Sequence, residues 1–552
     1  MVKEKRVMVV FLAIILIFVF SGCSKSQGNK TVPSQQKQEQ KITVEGKYEP
    51  AINLVSVKAV DATVKFLENE DIHNNVWTRT YKDELGINLS YMWVVDNSQY
   101  QQKLSATVMS GQMPDAFVCD LQMFKLLYDS DMIEDITGVF EQYASPATKT
   151  VLEKDNLALL CATIEGKLMG IPITDASVAS APMLWIRRDW MRALNIDPPE
   201  TMQDVLEISR RFVNEDPDRN GEADTIGLAV SKELWSAYGG LHGFFNGFHA
   251  YPHIWYERDG KLVYGTVQPE MKQALAELQG MYARGEIDKE FAVKDINKVS
   301  ESIANSKCGM EFSVWWNPYS PLYLSQANYP DAYWQAYPIP SVDDKPAKSQ
   351  YSAAVNSVIV IRKGYEYPEA VIKMLNFWCD NVLANPNEEI QNTLLGSLDN
   401  PDVVFYKYTD FHLWDPTTML EAYHNVRRAL AERNPAGLNI DEYKRYQIIS
   451  AYFEQGIKEA WVEVATYGDK GSVSILESIS RDRGMPNAFY GAPTKVMQEK
   501  MTALNAMADE TITKIIMGEP LDSFDEFVNK WKAMGGDEIT EEVNEWYKLN
   551  KR

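Results

Sequence analysis

Residues 87–119 read INLSYMWVVDNSQYQQKLSATVMSGQMPDAFVC, and this stretch decides the fold. Residues 87–95 are rich in β-branched and aromatic side chains and predict a strand. Residues 100–109 carry apolar side chains at helical spacing, and Gly111 marks the end of that helix. Residues 116–119 form a short apolar run that predicts a second strand. A strand–helix–strand unit of this kind is typical of an α/β sheet with right-handed crossovers.

Outward from this unit the chain keeps a mixed rhythm and becomes helix-rich toward its C-terminus. Residues 74–85 predict a helix that ends at Gly86. Residues 355–361, VNSVIVI, predict a short buried strand. Residues 443–464 and 495–517 have the length and pattern of long helices. The sequence therefore predicts an α/β fold with a helix-rich C-terminal part.

The first 23 residues have the pattern of a targeting signal. A short basic head precedes an unbroken apolar run at residues 7–20, which is too short to cross a hydrocarbon core of about 30 Å. This pattern is typical of the apolar middle of a secretory signal peptide. The residues that follow, Ser21, Gly22 and Cys23, resemble the bacterial lipobox. That resemblance implies cleavage after residue 22 and diacylation of Cys23; the alternative is an ordinary signal peptide with a chance cysteine.

Residues 23–45 are almost wholly polar, so they cannot bury enough surface to fold. We interpret them as a lipidated, flexible tether that holds the folded part off the membrane. Two acyl chains anchor a protein stably where one chain does not. The expected location is thus the extracytoplasmic face of the cell membrane.

Composition limits the function. A hydrophobic content of 45% argues against disorder, and a chain of 552 residues is long enough for two or three domains or two large lobes. The net charge of -22 makes nucleic acid an unsuitable partner, because that binding depends on neutralising phosphates. It leaves an anionic small ligand open, since a few arginines in a cleft can override the global field.

Besides Cys23 the chain has four cysteines, which are far apart and form no C-x-x-C pair. An oxidising exterior permits zero, one or two disulfides among them, and the sequence does not choose a pairing. We expect buried free thiols at Cys119, Cys161, Cys308 and Cys379.

Several segments together resemble the extracellular solute-binding protein family 1, in particular its large lipoprotein branch found in Paenibacillus-like bacteria. Any one of these motifs is weak, but their order and spacing make the set specific. They are SGQMPD at 110–115, GKLMGIP at 166–172, LWIRRDW at 184–190, IIMG at 515–518, FVNKW at 527–531, GG at 535–536 and EEVNEWY at 541–547.

The resemblance implies a two-lobed, periplasmic-binding-protein-like fold of type II, in which each lobe is discontinuous in sequence. By analogy residues 46–175 and 340–400 form the first lobe, and residues 183–336 and 405–552 form the second. The chain is then expected to cross between the lobes near residues 172–182, 337–340 and 400.

The resemblance also implies a function. A ligand sits in the cleft between the lobes, a hinge closes them around it, and an ABC-type importer recognises the closed form. The implied partners are the permease subunits of that importer, and we expect the protein to be a monomer. The implied cargo is a carbohydrate, and the size of the chain favours an oligosaccharide.

A sugar presents apolar C–H faces ringed by hydroxyl groups, so its site needs flat aromatic side chains with polar groups around them. The sequence offers this chemistry at several places, although each aromatic residue is also suited to a buried core. The candidate ligand contacts are Trp77, Asp175, Trp315, Trp316 and Tyr490.

Other functions stay open at this stage. The cargo can instead be a peptide or another polar nutrient, or the protein can report a ligand to a membrane sensor. The sequence holds no H-E-x-x-H, no G-x-S-x-G and no P-loop, so we assign no catalytic residue. A carbohydrate hydrolase with paired carboxylates is the remaining rival, and release of reducing sugar would identify it.

Residues 216–224, DPDRNGEAD, resemble the front half of an EF-hand loop. Such a loop supplies oxygen ligands to Ca²⁺ and has glycine at its sixth position for a sharp turn. Position twelve, normally glutamate, is Gly227, and position ten is Thr225. The alternative is a polar helix-to-strand turn. We expect a structural Ca²⁺ held by Asp216, Asp218, Asn220, Glu222 through its carbonyl, and Asp224.

Residues 235–256 are rich in histidine and aromatic side chains. His249 and His253 have the four-residue spacing of helical metal ligands, but Pro252 between them interrupts a helix. We interpret this stretch as a loop covering the second lobe, one able to reach the cleft.

Overall fold

The computed structural model describes residues 41–42, 46–60, 64–154, 156–174, 177–352, 355, 357–396 and 403–551. The predicted signal peptide, Cys23, nearly all of the tether and Asp175 lie outside these residues. In this part of the chain no helix combines the length and the apolar character that crossing a membrane requires.

Strands of three or more residues are spread from residue 52 to residue 486. They are β1 (Ile52–Val60), β2 (Ile87–Asp96), β3 (Ala116–Cys119), β4 (Met183–Arg187), β5 (Ile226–Leu228), β6 (Trp255–Arg258), β7 (Lys261–Tyr264), β8 (Cys308–Ser313), β9 (Trp334–Tyr337), β10 (Ser349–Tyr351), β11 (Val358–Ile361) and β12 (Gly484–Pro486).

Helices of seven or more residues connect these strands and dominate the C-terminal third. They are α1 (Tyr100–Met109), α2 (Leu121–Asp129), α3 (Thr137–Tyr143), α4 (Pro146–Glu153), α5 (Met202–Asn214), α6 (Glu270–Ala283), α7 (Ile296–Ala304), α8 (Leu322–Asn328), α9 (Glu369–Trp378), α10 (Thr418–Glu432), α11 (Ile440–Gln455), α12 (Trp461–Tyr467), α13 (Ser472–Ser478), α14 (Lys495–Ile516), α15 (Ser523–Trp531) and α16 (Asp537–Asn550). Shorter helices include Val76–Thr80, Asn156–Cys161, Arg188–Ala193 and His242–Gly247.

The unit predicted from residues 87–119 is present as β2, α1 and β3. β2 pairs in parallel with β1, and β3 lies on the other side of β1, where the amide of Asp115 donates to the carbonyl of Val55 at 2.7 Å. The next neighbour of β3 is β11, which runs antiparallel to it. β1 and β2 thus form a parallel pair, whereas β3 belongs to a three-stranded antiparallel sheet with β11 and residues 171–172.

A second sheet has the order β5–β8–β4–β9. Its central strand β4 is fully buried, because Leu184 and Ile186 point to one hydrophobic core while Met183 and Trp185 point to another. Successive side chains of a strand face opposite sides, so a strand that is apolar throughout predicts cover on both faces. Helices from the C-terminal third supply much of that cover.

The buried side chains form three large cores. The first core gathers residues 48–171 and 355–413; the second gathers residues 184–347 and 489–543; the third gathers residues 181–336 and 419–479. The second and third cores share one sheet and make one lobe, and the first core makes the other.

The chain therefore passes between the lobes at residues 171–181, 347–355 and 413–419. The first passage overlaps the expected crossing at 172–182. The other two come later than expected, because Ile339 and Ala347 pack in the second core and residues 405–413 pack in the first. The lobe boundaries themselves stay a prediction.

The four cysteines of the described part of the chain are buried thiols. Cys119, Cys161, Cys308 and Cys379 are all buried, and no disulfide joins them there. Burial raises the pKa of the Cys308 thiol, so this side chain acts as a small apolar core residue.

Candidate functional site

A cavity of about 430 Å³ lies where the chain passes between the lobes. Ser180 comes from the first passage, and Gln350 comes from a strand next to the second. The second lobe contributes an indole, an imidazole and small polar groups to the same space. We call it the aromatic cavity; its principal lining residues are Ser180, Trp235, His242, His253, Trp316 and Tyr351.

Trp235 is held firmly at the cavity wall. Its indole nitrogen donates to Asp509 Oδ1 at 2.6 Å, and its ring lies 5.0 Å from His242 and 4.8 Å from His253 between centroids. Burial lowers the pKa of His242 to about 3, so this imidazole is neutral at physiological pH. The wall thus offers a fixed aromatic face and an uncharged hydrogen-bonding ring.

Trp316 reaches the cavity from the turn that follows β8. Its neighbour Trp315 is perpendicular to it, with an interplanar angle of 89° and centroids 6.0 Å apart. Trp315 packs against the third core and against Tyr467, while Trp316 lines the cavity. The turn therefore places the Trp315 indole against the core and the Trp316 indole at the cavity wall.

A buried carboxylate fixes this turn. Glu311 on β8 accepts from Asn317 Nδ2 at 2.8 Å, and it accepts from the amide of Gly239 at 3.4 Å. Asn317 follows Trp316 directly, and Gly239 precedes Gly240, another lining residue. Burial raises the pKa of Glu311 from 4.5 to about 7, against the lowering effect of these two hydrogen bonds.

Glu311 should make the stability of the protein fall between about pH 4.5 and 7. The folded chain keeps the Glu311 proton in this window while the unfolded chain releases it, so each unit of pH lowers the free energy of unfolding. The full contribution is present below pH 4.5, and its loss reaches on the order of 3 kcal/mol above pH 7. Urea unfolding across this pH range measures it.

Glu311→Gln should flatten that slope, because glutamine does not titrate. Glu301→Gln is the matched control, since its carboxylate is exposed on α7 and should leave the slope as it is. A slope that survives in Glu311→Gln would contradict the assignment.

A second cavity, of about 290 Å³, lies on the side of the first lobe. It adjoins the same two passages, at Ile173 and Ser357. Two carboxylates and a histidine mark its wall. We call it the acidic cavity; its principal lining residues are Tyr100, Gln101, Asp120, Ser357, Asp410 and His412.

The acidic cavity contains a buried ion pair. Lys58 Nζ lies 2.5 Å from Asp410 Oδ1, and only 4% of the lysine side chain is exposed. Asp410 Oδ2 and His412 Nδ1 are buried without a hydrogen-bond partner. Burial lowers the pKa of His412 to about 4, with a further contribution from Lys58, so this ring is neutral at physiological pH.

The candidate ligand contacts predicted from the sequence fall in different places. Trp316 lines the aromatic cavity, whereas Trp315 packs in the third core. Trp77 is 1% exposed and lies within the first core, packed against Tyr81 and Trp378, so it has no surface to offer a ligand.

Tyr490 and Asp175 remain to be placed. The Tyr490 ring packs on Trp546 with centroids 4.7 Å apart, and its hydroxyl donates to the carbonyl of Asn550 at 3.4 Å. It is not a lining residue of either cavity. Asp175 lies outside the described residues, between passage residues 174 and 177.

Sequence reasoning missed Trp235, Tyr351, Asp410 and His412 as candidate contacts. The one available signal was the aromatic-rich stretch 235–256, which was interpreted as a loop able to reach the cleft. His249 and His253 do not meet: His249 contacts Asp343 at 2.9 Å, and His253 contacts Asp509 at 3.3 Å.

The predicted calcium loop turns sharply at Gly221, which has φ 81°. Asp216 accepts from the amides of Asn220 and Gly221 at 3.1 and 3.0 Å. Asn220 Nδ2 donates to Asp218 at 3.0 Å and to Asp224 at 3.2 Å. The three carboxylates thus all accept from Asn220, Asp218 and Asp224 from its side-chain amide and Asp216 from its backbone amide.

Two observations bear on a cation at this loop. Asp218 Oδ1 is buried without a partner, and burial together with Asp216 raises the pKa of Asp218. The Lys307 ammonium contacts Asp224 and supplies some of the missing positive charge. Among the described residues, no group of three or more His, Cys, Asp or Glu side chains is arranged to hold a metal ion.

The later positions of the loop supply no ligand. The Thr225 hydroxyl donates to the carbonyl of Phe212 at 2.6 Å and is buried. A Cβ at Gly227 would come within 2.0 Å of Ser209 Oγ, so glycine is required there by packing.

Comparison with known proteins gives three findings. Residues 68–381 match the family described as bacterial extracellular solute-binding protein. Lipoprotein LipO of Bacillus subtilis (strain 168) is 27% identical over 227 residues, which cover 41% of this chain and 44% of LipO. The polygalacturonan/rhamnogalacturonan-binding protein YtcQ of the same organism is 22% identical over 476 residues, which cover 84% of this chain and 86% of YtcQ.

Among solved structures, the Streptococcus pneumoniae ABC-transporter substrate-binding protein FusA in complex with kestose superimposes with a TM-score of 0.59. It is 16% identical, and the match covers 91% of this chain and 100% of FusA. This likeness confirms the predicted α/β, two-lobed fold of type II.

Proposed function

The chain belongs to the bacterial extracellular solute-binding protein family. On that premise we propose that it captures a carbohydrate in the aromatic cavity and delivers it to an ABC-type importer. Membership in a family of binding proteins supports a role in binding rather than in catalysis. The cleft between two lobes then acts as a trap, since a ligand that contacts both lobes favours their closed arrangement.

The observation that carries the proposal is the wall of the aromatic cavity. Trp235 and Trp316 present indole faces, and Ser180 and Gln350 add uncharged polar groups from the passages between the lobes. This combination suits a sugar ring, whose C–H faces stack on indoles while its hydroxyl groups take hydrogen bonds. A saccharide as cargo is supported by YtcQ, a polygalacturonan/rhamnogalacturonan-binding protein, and by FusA, whose structure holds kestose.

The space beside the passages supports an oligosaccharide. Two cavities, with volumes of about 430 and 290 Å³, adjoin the same two passages. Either volume exceeds that of a single sugar ring, which favours a ligand of several sugar units. We propose permease subunits as the protein partners and a monomer as the working state.

A thermal-shift panel tests the proposed function. The full chain in detergent is heated with neutral oligosaccharides, uronate oligomers and short peptides, each at high concentration. A ligand present at 100 times its Kd adds about 2.7 kcal/mol to the stability, which should raise the Tm by several degrees. We expect the shift with saccharides; a shift with peptides alone would contradict the carbohydrate assignment.

We also propose that Cys23 is diacylated and anchors the protein at the extracytoplasmic face of the membrane. The apolar run at residues 7–20 and the small residues before Cys23 support this. LipO, which is named a lipoprotein, is a relative of this chain.

We further propose a structural Ca²⁺ at Asp216, Asp218, Asn220, Glu222 and Asp224. The unpartnered Asp218 Oδ1 and the crowding of three carboxylates support it, because Ca²⁺ prefers six to eight oxygen ligands. The ion would tie the end of α5 to the start of β5 and has no role in binding the cargo.

Removal of calcium should therefore lower the Tm by several degrees. The measurement compares millimolar CaCl₂ with a chelator, and MgCl₂ serves as the control ion. Asp218→Ala should abolish the difference, whereas Asp331→Ala, at an exposed carboxylate, should preserve it. An identical Tm with calcium and with chelator would contradict the proposal.

A further inference from the structure

The aromatic cavity has no cationic side chain to meet an acidic ligand. No lysine or arginine lines it among the described residues. Of its two histidines, His242 is neutral because burial lowers its pKa to about 3. His253 Nε2 lies 3.3 Å from Asp509 Oδ1, so any positive charge on this ring already has a carboxylate beside it.

The passages between the lobes hold one basic residue, Lys348, which is not a lining residue of either cavity. Five of their residues lie outside the described part of the chain, and the sequence gives their types: Asp175, Ala176, Ala353, Ala354 and Asn356. None of them is basic, and Asp175 is acidic. None of these five residues therefore adds a positive charge to the binding region, wherever it lies.

The acidic cavity is unfavourable to a carboxylate for a further reason. Asp120 caps the N-terminus of α2 by accepting from the amide of Met123 at 2.7 Å. The partial positive charge of that helix end is thus already matched by a carboxylate of the protein. Neither lysine nor arginine lines this cavity within the described ranges.

The nearest buried cation of the acidic cavity is not available to a ligand. The Lys58 ammonium lies 2.5 Å from Asp410 Oδ1, and its side chain is buried. A ligand carboxylate would have to separate this pair and would leave Asp410 without a counter-charge.

The unpartnered atoms of the acidic cavity require a hydrogen-bond donor. Asp410 Oδ2 accepts hydrogen bonds when ionised, and His412 Nδ1 either donates or accepts according to its tautomer. A sugar hydroxyl donates and accepts, whereas an ionised carboxylate only accepts. Both atoms are buried, so a ligand reaches them only if neighbouring side chains shift. A sugar hydroxyl that does so satisfies either atom, whereas a carboxylate beside Asp410 gives the aspartate no hydrogen-bond donor.

We infer that the cargo is an uncharged oligosaccharide and that the cleft selects against uronic acid units. This inference rests on the proposed carbohydrate function and makes its cargo class specific. It separates this chain from its relative YtcQ, which is named for binding polygalacturonan, a polymer of acidic sugars.

Calorimetric titration with matched ligand pairs tests the inference. The probes are oligogalacturonides of three to six units and the same oligomers after reduction of their carboxyl groups to alcohols. Neutral fructo-, xylo- and malto-oligosaccharides complete the panel, and the full chain is used in detergent. We expect the neutral ligands to bind. Each uronate oligomer should bind more weakly than its reduced partner by on the order of 100-fold.

The possible results separate the inference from the function on which it rests. A uronate oligomer that binds as tightly as its reduced partner overturns the inference and leaves the carbohydrate function standing. Absence of binding by every saccharide contradicts the function itself, and the inference with it.

A charge-removing variant gives a second test. Asp120→Asn keeps a side chain that caps helices well but removes a negative charge from the acidic cavity. The ratio of uronate affinity to neutral affinity should rise about tenfold. Asp295→Asn is the matched control, because Asp295 caps α7 outside both cavities and should leave the ratio unchanged. An unchanged ratio in Asp120→Asn overturns the role of this charge.

Discussion

Trp316→Ala should weaken oligosaccharide binding by roughly 30-fold or more, which corresponds to about 2 kcal/mol. The substitution removes one of the two indoles that line the aromatic cavity and leaves only Trp235 for the ligand to stack on. Isothermal titration with the oligosaccharide that gives the largest thermal shift measures the effect.

The neighbouring tryptophan provides the sharpest comparison. Trp315 packs against the third core, so Trp315→Ala should act mainly on the stability, by about 1–3 kcal/mol. Trp316→Ala should act mainly on binding, because its ring faces the cavity and contributes little to the core. The two variants carry the same chemical change one residue apart. We expect Trp315→Ala to lower the stability and Trp316→Ala to weaken ligand binding.

An aromatic residue outside the cavity completes the set. Tyr323 lies on α8, soon after the same turn, and is 43% exposed. Tyr323→Ala should leave both binding and stability near the wild-type values. Equal binding by wild type and Trp316→Ala would contradict the role of Trp316 in binding the ligand.

Lys58→Met should lower the free energy of unfolding by about 3–5 kcal/mol. The substitution leaves Asp410 buried in the first lobe without its counter-charge. Burial already raises the pKa of Asp410 against the lowering effect of Lys58, so removal of the lysine raises that pKa further. Urea unfolding at pH 7 measures the loss, which should shrink as the pH is lowered and Asp410 becomes protonated.

Two controls isolate the ion pair. The double variant Lys58→Met/Asp410→Asn removes both charges and should recover much of the stability. Lys458 and Asp331 form a pair of similar length, 2.9 Å, but their side chains are 62% and 96% exposed. Lys458→Met should therefore change the stability by less than about 1 kcal/mol. A similar loss in Lys58→Met and Lys458→Met would show that burial is not the reason.

Local patterns predicted the α/β elements, whereas the two-lobed arrangement was implied only by the family resemblance. The strands and helix within residues 87–119 are present as predicted, because their periodicity and end signals agree. The helix predicted over residues 443–464 is wrong: α11 ends at Gln455, and Gly456 follows in the left-handed region at φ 70°. A glycine inside an apolar pattern was the available signal for that end.

The candidate site was predictable only in part. Trp316 was predicted from its aromatic chemistry, and it lines the aromatic cavity just after a strand that is buried along its length. Trp77 has the same chemistry, but the sequence does not show which helix face a neighbouring helix will cover. Trp235 and Tyr351 are separated by more than a hundred residues and meet only through the passages between lobes.

A solved structure of the complex with an oligosaccharide tests the central claim most directly. We predict that a sugar ring stacks on Trp235 or Trp316 in the aromatic cavity, with Ser180 or Gln350 in hydrogen-bond distance of its hydroxyl groups. A ligand bound away from both cavities, with these indoles unoccupied, would contradict the account.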